Sequence, residues 1–560
     1  MIDPVSFSKF SSLFPRRSSR MPTRYGTYLL SLIGLVVSML GLAFDSDWGW
    51  AVLGFGLLVA LGSYDLLQRR RTVSRNYPIL AHFRYGLESI GPEIRQYFIQ
   101  SDTEKRPFSR EQRALVYQRA KNTLDKKPFG SLQDMYAEGY EWINPSMMPA
   151  HIDSHDFRVT IGESRAKPYS ASVFNISAMS FGSLSANAIS ALNGGAKLGD
   201  FYHDTGEGSI SPYHRQGGDL VWEIGSGYFG CRNEDGTFSE ERFIAGATLE
   251  QVKMIEIKLS QGAKPGHGGI LPGAKVTPEI ATTRGVPVGM DVISPSAHSA
   301  FTTPLEMIAF IARLRELSGG KPVGIKLTIG HPWEWFGLVK AMLESDEHPD
   351  FIVVDGGEGG TGAAPLEFIN RLGMPLTEAL LLVHNTLVGV NLREKIRIGA
   401  AGKIVSAFDI ARTMALGADW CNAARGYMFS LGCIQARTCH TDRCPSGVAT
   451  QDTRRGSKLD VADKRQRVYR FHDNTLKALA EMLAAAGLTD TAELGPEHIL
   501  CRVSRTEIQS FAALFPFLEP GELLSGTPQH AVFHNYWHVS RADSFHAPDS
   551  VAALRTSKLH

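Results

Sequence analysis

Three cysteines lie within twelve residues of one another in the second half of the chain. Cys433, Cys439 and Cys444 have C-x5-C-x4-C spacing, and Pro445 follows directly. Thiolates this close together are typical of metal and iron–sulfur sites. Three thiolates suit a three-iron, four-sulfur cluster, because each iron takes one of them. The spacing therefore predicts a cluster that carries electrons.

Other interpretations of these cysteines stay open. Zinc is less suited, because zinc loops favour C-x2–4-C pairs and four ligands. Cys421 would supply a fourth thiolate to a four-iron cluster, although we expect it to be a buried structural cysteine. Free cysteines also occur as small buried residues that bind nothing. A three-iron cluster is preferred over a four-iron one.

Glycine-rich turns and basic residues follow several apolar segments. Residues 356–365 read GGEGGTGAAP after one such segment. Consecutive glycines let the backbone approach a ligand closely, and their N–H groups suit phosphate or flavin oxygens. Residues 398–404 and 422–426 supply Lys403 and Arg425 as counter-charges for a phosphate. The pattern is not the G-x-G-x-x-G fingerprint of a dinucleotide-binding unit.

Two lysines and one glutamate occupy positions that favour a ligand. Lys326 lies inside the apolar segment VGIKLT, where burying its charge without an anionic partner would be costly. A flavin edge that gains negative charge on reduction would be such a partner, and a lysine whose stem lies along the surface is the alternative. Lys264 (in QGAKPGHGG) and Glu207 (in DTGEGS) lie in glycine-rich loops, where they could bind a keto acid and relay a proton.

The elements that must position these residues alternate between strands and helices. From about residue 171, short apolar runs end in glycine-rich turns and amphipathic helices follow, which implies parallel β/α units. Polar and glycine residues recur after each strand. We therefore predict an α/β fold, a (β/α)8 TIM barrel with helical additions, rather than a doubly wound sheet.

Length and composition bound the organisation of the chain. With 560 residues, the chain exceeds one ordinary domain. We predict a membrane anchor at residues 1–75, a helical connecting segment at 76–150, the barrel with its cysteine loop at 151–470, and a helical, loop-rich extension at 471–560. The net charge of +1 argues against a nucleic-acid partner. No cysteine precedes Cys231, so a reducing cytosolic setting is expected.

Two apolar runs near the N-terminus predict a transmembrane helical hairpin. Residues 25–44 carry no charge and residues 48–67 carry only Asp65, and each run is about long enough to cross a bilayer. Two buried core helices are the alternative. The positive-inside bias places both ends in the cytoplasm, which predicts a two-pass membrane protein with a cytoplasmic catalytic domain. The flanking arginines that set this bias are Arg16, Arg17, Arg20, Arg24, Arg69, Arg70, Arg71 and Arg75.

Several segments together resemble the central and flavin-binding synthase domains of glutamate synthase. They run in the same order as in that family, from about residue 177 to residue 452. They read SAMSFGSLS, DTGEGS, QGAKPGHGGILPGAKV, VISPSAH, GGTGAAP and CIQARTCHTDRCPSGVATQD. The N-terminal segments resemble a membrane-anchored branch of FMN-binding glutamate synthase family proteins.

The resemblance implies an FMN in a (β/α)8 barrel beside a three-iron, four-sulfur cluster held by Cys433, Cys439 and Cys444. It implies that Lys264 and Glu207 handle the substrate. The implied reaction is ammonia addition to 2-oxoglutarate and hydride delivery from reduced FMN N5 to the imine carbon, with electrons entering singly through the cluster. The segments implied to bind the flavin contain Ser180, Gly182, Lys326, Gly359, Gly360, Gly402, Lys403, Arg425 and Gly426.

The chain also departs from the family. Glutamate synthases make ammonia with an amidotransferase domain whose nucleophile is an N-terminal cysteine, whereas this chain opens MIDP. We therefore expect no amidotransferase domain and no pyridine-nucleotide module, so that ammonia comes from solution or a separate amidotransferase and electrons come from an external donor. Asp204 stands where the family usually has asparagine. Two alternatives are an N-methylglutamate synthase-type ligase that uses another amine, and an electron-transfer flavoprotein module docked to a membrane complex.

Overall fold

A computed structural model describes residues 23–68, 71–102, 104, 107–526, 528–549 and 551. Within it the chain divides into two compact units, residues 1–101 and residues 102–560. The predicted arginines Arg16, Arg17, Arg20, Arg69 and Arg70 lie outside the described residues.

The first unit is helical. Its glycines let two helices approach closely, since a Cβ on Gly34 would lie 2.5 Å from a ring carbon of Phe55. Asp65, the one acidic residue of the second apolar run, is buried and accepts a hydrogen bond from the Ile79 N–H at 2.9 Å. The Nε2 atom of His82 lies 2.9 Å from the same carboxyl group. The helices are α1 Gly26–Leu42, α2 Gly49–Leu67, α3 Thr72–Asn76 and α4 Leu80–Ile94, followed by a π-helical turn, Arg95–Ile99.

Helix length bears on the predicted membrane spans. Among the described residues, one helix, Ser46–Leu67, is long and apolar enough to cross a bilayer. Helix α1 is apolar but has 17 residues, which gives about 25 Å against a hydrocarbon core of about 30 Å. The length of the helices therefore supports one span and does not support the predicted two-span hairpin.

The second unit contains all the strands of the described chain. They are β1 Glu141–Ile143, β2 Arg158–Ile161, β3 Tyr169–Ser172, β4 Phe174–Ile176, β5 His203–Asp204, β6 Leu220–Ile224, β7 Val252–Lys258, β8 Ile270–Leu271, β9 Val292–Ile293, β10 Val323–Leu327, β11 Phe351–Asp355, β12 Arg397–Ala401, β13 Trp420–Ala423, β14 Ile499–Arg502 and β15 Ile508–Ser510.

Eight parallel strands close into a barrel in the order β4-β5-β6-β7-β10-β11-β12-β13. Strand β13 closes the ring against β4, with Cys421 paired to Phe174. The predicted (β/α)8 barrel is therefore confirmed. Smaller antiparallel pairs surround it: β2 pairs with β3, β8 pairs with β9 in the loop after β7, and β14 pairs with β1 and β15.

Helices cover the outside of the barrel, and several begin at residues suited to the N-cap. The side chains of Ser185, Thr303 and Ser406 each accept the hydrogen bond of a backbone N–H in the first turn of their helix. The helices are α5 Arg110–Lys121, α6 Ala186–Gly199, α7 Glu240–Ala247, α8 Pro278–Arg284, α9 Pro304–Leu317, α10 Pro332–Ser345, α11 Leu366–Arg371, α12 Leu376–Gly389, α13 Ala407–Ala415, α14 Arg425–Ser430, α15 Thr453–Gly456, α16 Val461–Ala486, α17 Phe511–Leu514, α18 Glu522–Ser525 and α19 Ala531–Tyr536.

Helix α16 is the largest helical addition to the barrel. Its 26 residues continue past residue 470, where the sequence predicted a domain boundary. The side chain of Thr475, on this helix, accepts a hydrogen bond from Arg119 of α5 at 3.3 Å. Because the apolar face of α16 is buried from Val468 to Leu483, the helix forms one packed element and cannot be divided at that point. The predicted domain division otherwise stays a prediction.

Candidate functional site

The carboxyl ends of the barrel strands open into one large cavity of about 1740 Å³. Ligand pockets usually enclose about 300–1000 Å³, so this volume has room for more than one group. Loops after β4, β7, β11, β12 and β13 reach it, together with Lys326 of β10, as expected for the functional end of such a barrel. Predicted site residues that line it are Lys326, Gly359, Gly360, Gly402, Lys403, Arg425, Gly426, Cys433, Cys439 and Cys444.

All three cysteines of the predicted cluster face this cavity. Cys433 and Cys444 are buried and Cys439 is half-buried, at the start of the turn Cys439–Thr441. Cys421 lies in strand β13, is fully buried, and is not among the residues that line the cavity. The arrangement therefore brings together three thiols and leaves the candidate fourth one inside the barrel wall.

The surroundings of Cys444 favour its thiolate. Burial raises the pKa of this thiol, but hydrogen bonds from the Ser446 hydroxyl and from the N–H groups of Ala449, Ser446 and Val448 outweigh burial and lower the pKa. The Sγ atom of Cys444 lies 3.4 Å from the Ser446 hydroxyl. Burial instead raises the pKa of Cys433. A donor set of three thiols, one of them held by N–H groups, suits an iron–sulfur cluster.

The spacing of the thiols does not suit one metal ion. Among the described residues, the one group of three ligand atoms within 4.8 Å of one another consists of Asp204, Glu223 and Glu256, and it contains no cysteine. A single zinc ion needs ligands about 2.0–2.3 Å from one centre. The three thiols do not form such a group, which argues against one zinc ion shared by all three.

The other side of the large cavity consists of glycine-rich backbone and basic side chains. A Cβ on Gly360 would lie 3.1 Å from the Arg425 guanidinium, and a Cβ on Gly402 would lie 3.0 Å from Leu376. Arg425 donates to the Thr361 carbonyl at 2.5 Å, and Lys403 adopts a left-handed φ of 56°. The backbone at both glycines therefore packs closely against its neighbours, and Lys403 and Arg425 give this part of the cavity, the glycine-rich cradle, two cations, which suit a phosphate.

Lys326 has a partner that the sequence did not predict. The side chain is buried, and its Nζ atom donates to the Glu223 carboxylate at 3.0 Å. The lysine is therefore neither on the surface nor dependent on a ligand for its counter-charge. It still lines the floor of the large cavity.

A smaller cavity of about 130 Å³ adjoins the large one and contains the predicted substrate-handling residues. Lys264 and Glu207 both line it, together with Lys258 and Ser180. Lys258 Nζ donates to Glu207 Oε2 at 2.8 Å. Burial raises the pKa of Glu207, but the charges of Lys258, Arg284 and Lys264 outweigh burial and hold the pKa at about 2. Burial lowers the pKa of Lys264.

Glu207 is therefore ionised at any physiological pH and accepts protons poorly. This favours binding of a group that carries opposite charges, and the predicted proton relay through Lys264 and Glu207 stays a prediction. Lys258 and Arg284 complete the charged set, and the sequence analysis missed both. The strand pattern held the signal for Lys258, because it lies two residues from Glu256 on one face of β7.

Two predicted flavin residues lie apart from the glycine-rich cradle. Ser180 lines the small cavity, where its Oγ atom accepts a hydrogen bond from Arg284 at 3.2 Å. Gly182 is not among the residues that line either cavity. Its carbonyl accepts a hydrogen bond from Gln451 at 3.0 Å, and its φ of 102° suits glycine. Their roles stay predictions.

Fold and site define a (β/α)8-barrel protein whose strand-end cavity combines three thiols with glycine-rich and basic loops. The chain belongs to the glutamate synthase family, since residues 134–489 match the family model described as the conserved region in glutamate synthase.

Curated relatives agree with this assignment. The chain is 39% identical over 481 residues to the glutamate synthase large subunit-like protein YerD of Bacillus subtilis, covering 78% of this chain and 91% of that protein. It is 34% identical over 337 residues to the archaeal-type glutamate synthase [NADPH] of Thermotoga maritima, covering 59% of this chain and 63% of that enzyme. The archaeal glutamate synthase [NADPH] of Methanocaldococcus jannaschii is 34% identical over 324 residues, with 57% and 60% covered.

The chain thus spans about three fifths of the length of the archaeal-type enzymes. Among solved structures, it aligns with a flavocytochrome b2 variant with sulfite bound. The TM-score is 0.41 at 12% identity, covering 79% of this chain and 90% of that one.

Proposed function

We propose that this protein is a glutamate synthase-like oxidoreductase that forms glutamate from 2-oxoglutarate and ammonia or a related amine. The proposal includes an FMN in the large cavity and a three-iron, four-sulfur cluster on Cys433, Cys439 and Cys444. The observation that carries it is the shared cavity, in which the thiols and the glycine-rich cradle face one space of about 1740 Å³. Two groups that exchange electrons need this proximity.

The residues proposed to hold each group follow from their positions. Gly359, Gly360, Gly402, Lys403 and Arg425 would hold the flavin and its phosphate. When bound, the flavin supplies the hydride and the cluster passes electrons singly from an external donor.

The small cavity supports the choice of substrate. A dicarboxylate needs cationic partners. Lys264 and Lys258 line the small cavity, and Arg284 adds a third positive charge near Glu207 without lining it. Lys264 has a pKa lowered by burial, so it gives up a proton more readily than an ordinary lysine. Glu207, as a fixed anion, would orient an ammonium or iminium nitrogen. A pure electron carrier needs none of these groups, so the cavity favours the enzyme over the electron-transfer module.

We further propose that α2, the helix long enough to cross a bilayer, anchors the protein in a membrane with α1 packed against it, and that the catalytic unit is in the cytoplasm. Apolar side chains are exposed along both helices; Leu30 is 67% exposed and Leu57 is 65% exposed. Exposed apolar surface on two adjacent helices is costly in water and expected in lipid. Arg71 and Arg75 follow α2 on the side proposed to be cytoplasmic.

The central experiment is stopped-flow reoxidation of the anaerobically reduced protein. We expect 2-oxoglutarate with ammonium to reoxidise the flavin and to yield glutamate. Replacement of Lys264 (Lys264→Gln) should slow this step by about two orders of magnitude while flavin absorbance is retained. The exposed Lys395→Gln variant serves as the control and should behave as wild type.

Other outcomes separate the alternatives. Flavin that stays reduced, with no glutamate formed, would exclude the synthase. Reoxidation that requires methylamine in place of ammonium would favour the N-methylglutamate synthase-type alternative.

A further inference from the structure

The interior of the barrel carries charges where such barrels usually carry branched apolar side chains. Glu223 on β6 is paired in register with Glu256 on β7, and Lys258 on β7 is paired with Lys326 on β10. All four residues are at most 9% exposed. Like charges directly opposite each other across two strands destabilise a sheet. The repulsion within the glutamate pair and within the lysine pair is offset, because each lysine lies within 4.0 Å of the Glu223 carboxylate.

The two lysines form ion pairs with Glu223 and Glu207. Two other buried acids, Asp204 and Glu256, have no ion pair with a lysine among the described residues. Lys326 donates to Glu223 at 3.0 Å, and Lys258 lies 2.8 Å from Glu207 and 3.8 Å from Glu223. Asp204 on β5 and Glu256 on β7 remain. One oxygen of Asp204, of Glu223 and of Glu256 lie within 4.8 Å of one another.

The hydrogen bonds around this acid pair are incomplete. The Gly206 N–H donates to Asp204 at 2.9 Å. The Oε1 atom of Glu256 is buried and has no hydrogen-bond partner among the described residues. Two ionised carboxylates cannot hydrogen-bond to each other, whereas a carboxylic acid can donate to a carboxylate. A proton held between Asp204 and Glu256 would supply the hydrogen bond that the Glu256 carboxyl group lacks within the described chain.

We propose that Asp204 and Glu256 share one proton in the core of the barrel, and that Glu223 and Lys258 connect this proton to the substrate cavity at Glu207. The inference rests on the proposed function, because formation of an imine from a carbonyl compound releases water and needs a proton for the oxygen that leaves. It names Glu256 as a residue that stores a proton and acts through Lys258.

Electrostatics of the core agree with a shared proton. Burial raises the pKa of Asp204 to about 7, with Glu223 adding to the shift and Lys326 opposing it. Burial and then Asp204 raise the pKa of Glu256 well above its ordinary value. The groups that face the pair from the surrounding strands are Glu223 on β6, Lys326 on β10 and the Tyr202 hydroxyl beside β5.

The transfer balances without a redox partner. Once the amine has added to the carbonyl carbon, Lys258 gives one N–H proton to the resulting hydroxyl group, whose C–O bond breaks as the oxygen leaves as water. The O–H bond of Glu256 then breaks, and its proton passes through Glu223 to restore the Lys258 ammonium. A water molecule then returns one proton to the Asp204–Glu256 pair and leaves to bulk solvent as hydroxide, which balances the proton consumed. No electrons move in these steps.

Infrared spectroscopy of the full chain tests the shared proton directly. At pH 8 ordinary surface carboxyl groups are ionised, so a carbonyl stretching band of a protonated carboxyl belongs to a buried group. We expect this band in the wild type, loss of it in Glu256→Gln, and retention in the exposed control Glu241→Gln. If Glu256→Gln does not fold, Glu256→Asp should keep a band at a shifted frequency.

Kinetics then test whether the proton is used. We expect Glu256→Gln to lower kcat for glutamate formation about a hundredfold with little change in KM, and to abolish the decline of kcat at alkaline pH. A wild type without the band, or a band unchanged in Glu256→Gln, overturns the proposal. A band that behaves as expected in a protein that forms no glutamate supports the proton pair and refutes the synthase function alone.

Discussion

At the scale of single residues, the three cysteines differ in their surroundings, and one of them allows a clean test. Cys439 is half-buried in a short turn, so a serine there should disturb the fold little. We expect Cys439→Ser to lose the electron paramagnetic resonance signal of the oxidised cluster, because one iron loses its thiolate, and to keep the flavin absorbance. Cys501→Ser, in strand β14, is the matched control. A full signal in Cys439→Ser would show that this cysteine is not a ligand.

Asp204 provides a second test at this scale, in the dependence of stability on pH. Its pKa in the folded protein is about 7, above the ordinary value of 3.8, mainly because it is buried. The folded state therefore holds a proton that the unfolded state releases, so stability falls as the pH rises from about 4 towards 7. We expect Asp204→Asn to flatten this decline, measured by chemical unfolding at several pH values.

The control for this substitution is Asp346→Asn, at the exposed end of α10 where φ is 54°. Asparagine tolerates that backbone conformation as well as aspartate does. A decline with pH that is equally steep in wild type and Asp204→Asn would contradict the raised pKa.

At the scale of elements, close contact between two loops positions the site. The loop after β7 meets the loop after β11 so tightly that a Cβ on Gly262 would overlap the Gly356 carbonyl oxygen. Gly262 N–H also donates to Asp355 at 3.1 Å. We expect Gly262→Ala to destabilise the protein by about 1–3 kcal/mol, the usual cost of overpacking, and to weaken flavin retention.

The matched substitution is Gly362→Ala, since a Cβ there would meet nothing within 4 Å. Thermal and denaturant unfolding measure both variants. Equal stability of the two variants would show that the loops separate without cost.

The same elements show how far the sequence could predict the fold and the site. The barrel could be predicted because the alternation of apolar strands, glycine-rich turns and amphipathic helices is a local pattern that can be read along the chain. The partner of Lys326 could not be predicted, because Glu223 is about a hundred residues away and meets it only through barrel closure. Ser180 is predicted to bind the flavin, and the structure adds that it lines the small cavity and that its hydroxyl accepts a hydrogen bond from Arg284. Contacts of this kind depend on the register between neighbouring strands, and the spacing of motifs along the chain does not reveal that register.

At the scale of the whole molecule, the proposed anchor makes a prediction about where the protein resides. We expect the wild type to stay in the membrane fraction after alkaline carbonate washing. The double variant Leu53→Lys/Leu57→Lys places two charges on one exposed face of α2. Each lysine costs about 3 kcal/mol at the centre of a membrane-spanning helix, so we expect most of this variant to be released.

The matched double variant Ile508→Lys/Leu524→Lys changes two exposed apolar residues of the other unit and should remain in the membrane fraction. The cavity residues lie in that other unit, so the washed double variant of α2 should still reoxidise with 2-oxoglutarate and ammonium. Release together with full activity would separate membrane attachment from catalysis. A wild type that washes off, or a Leu53→Lys/Leu57→Lys variant that stays bound, would refute the anchor, and α1 and α2 would then need an apolar protein partner to cover them.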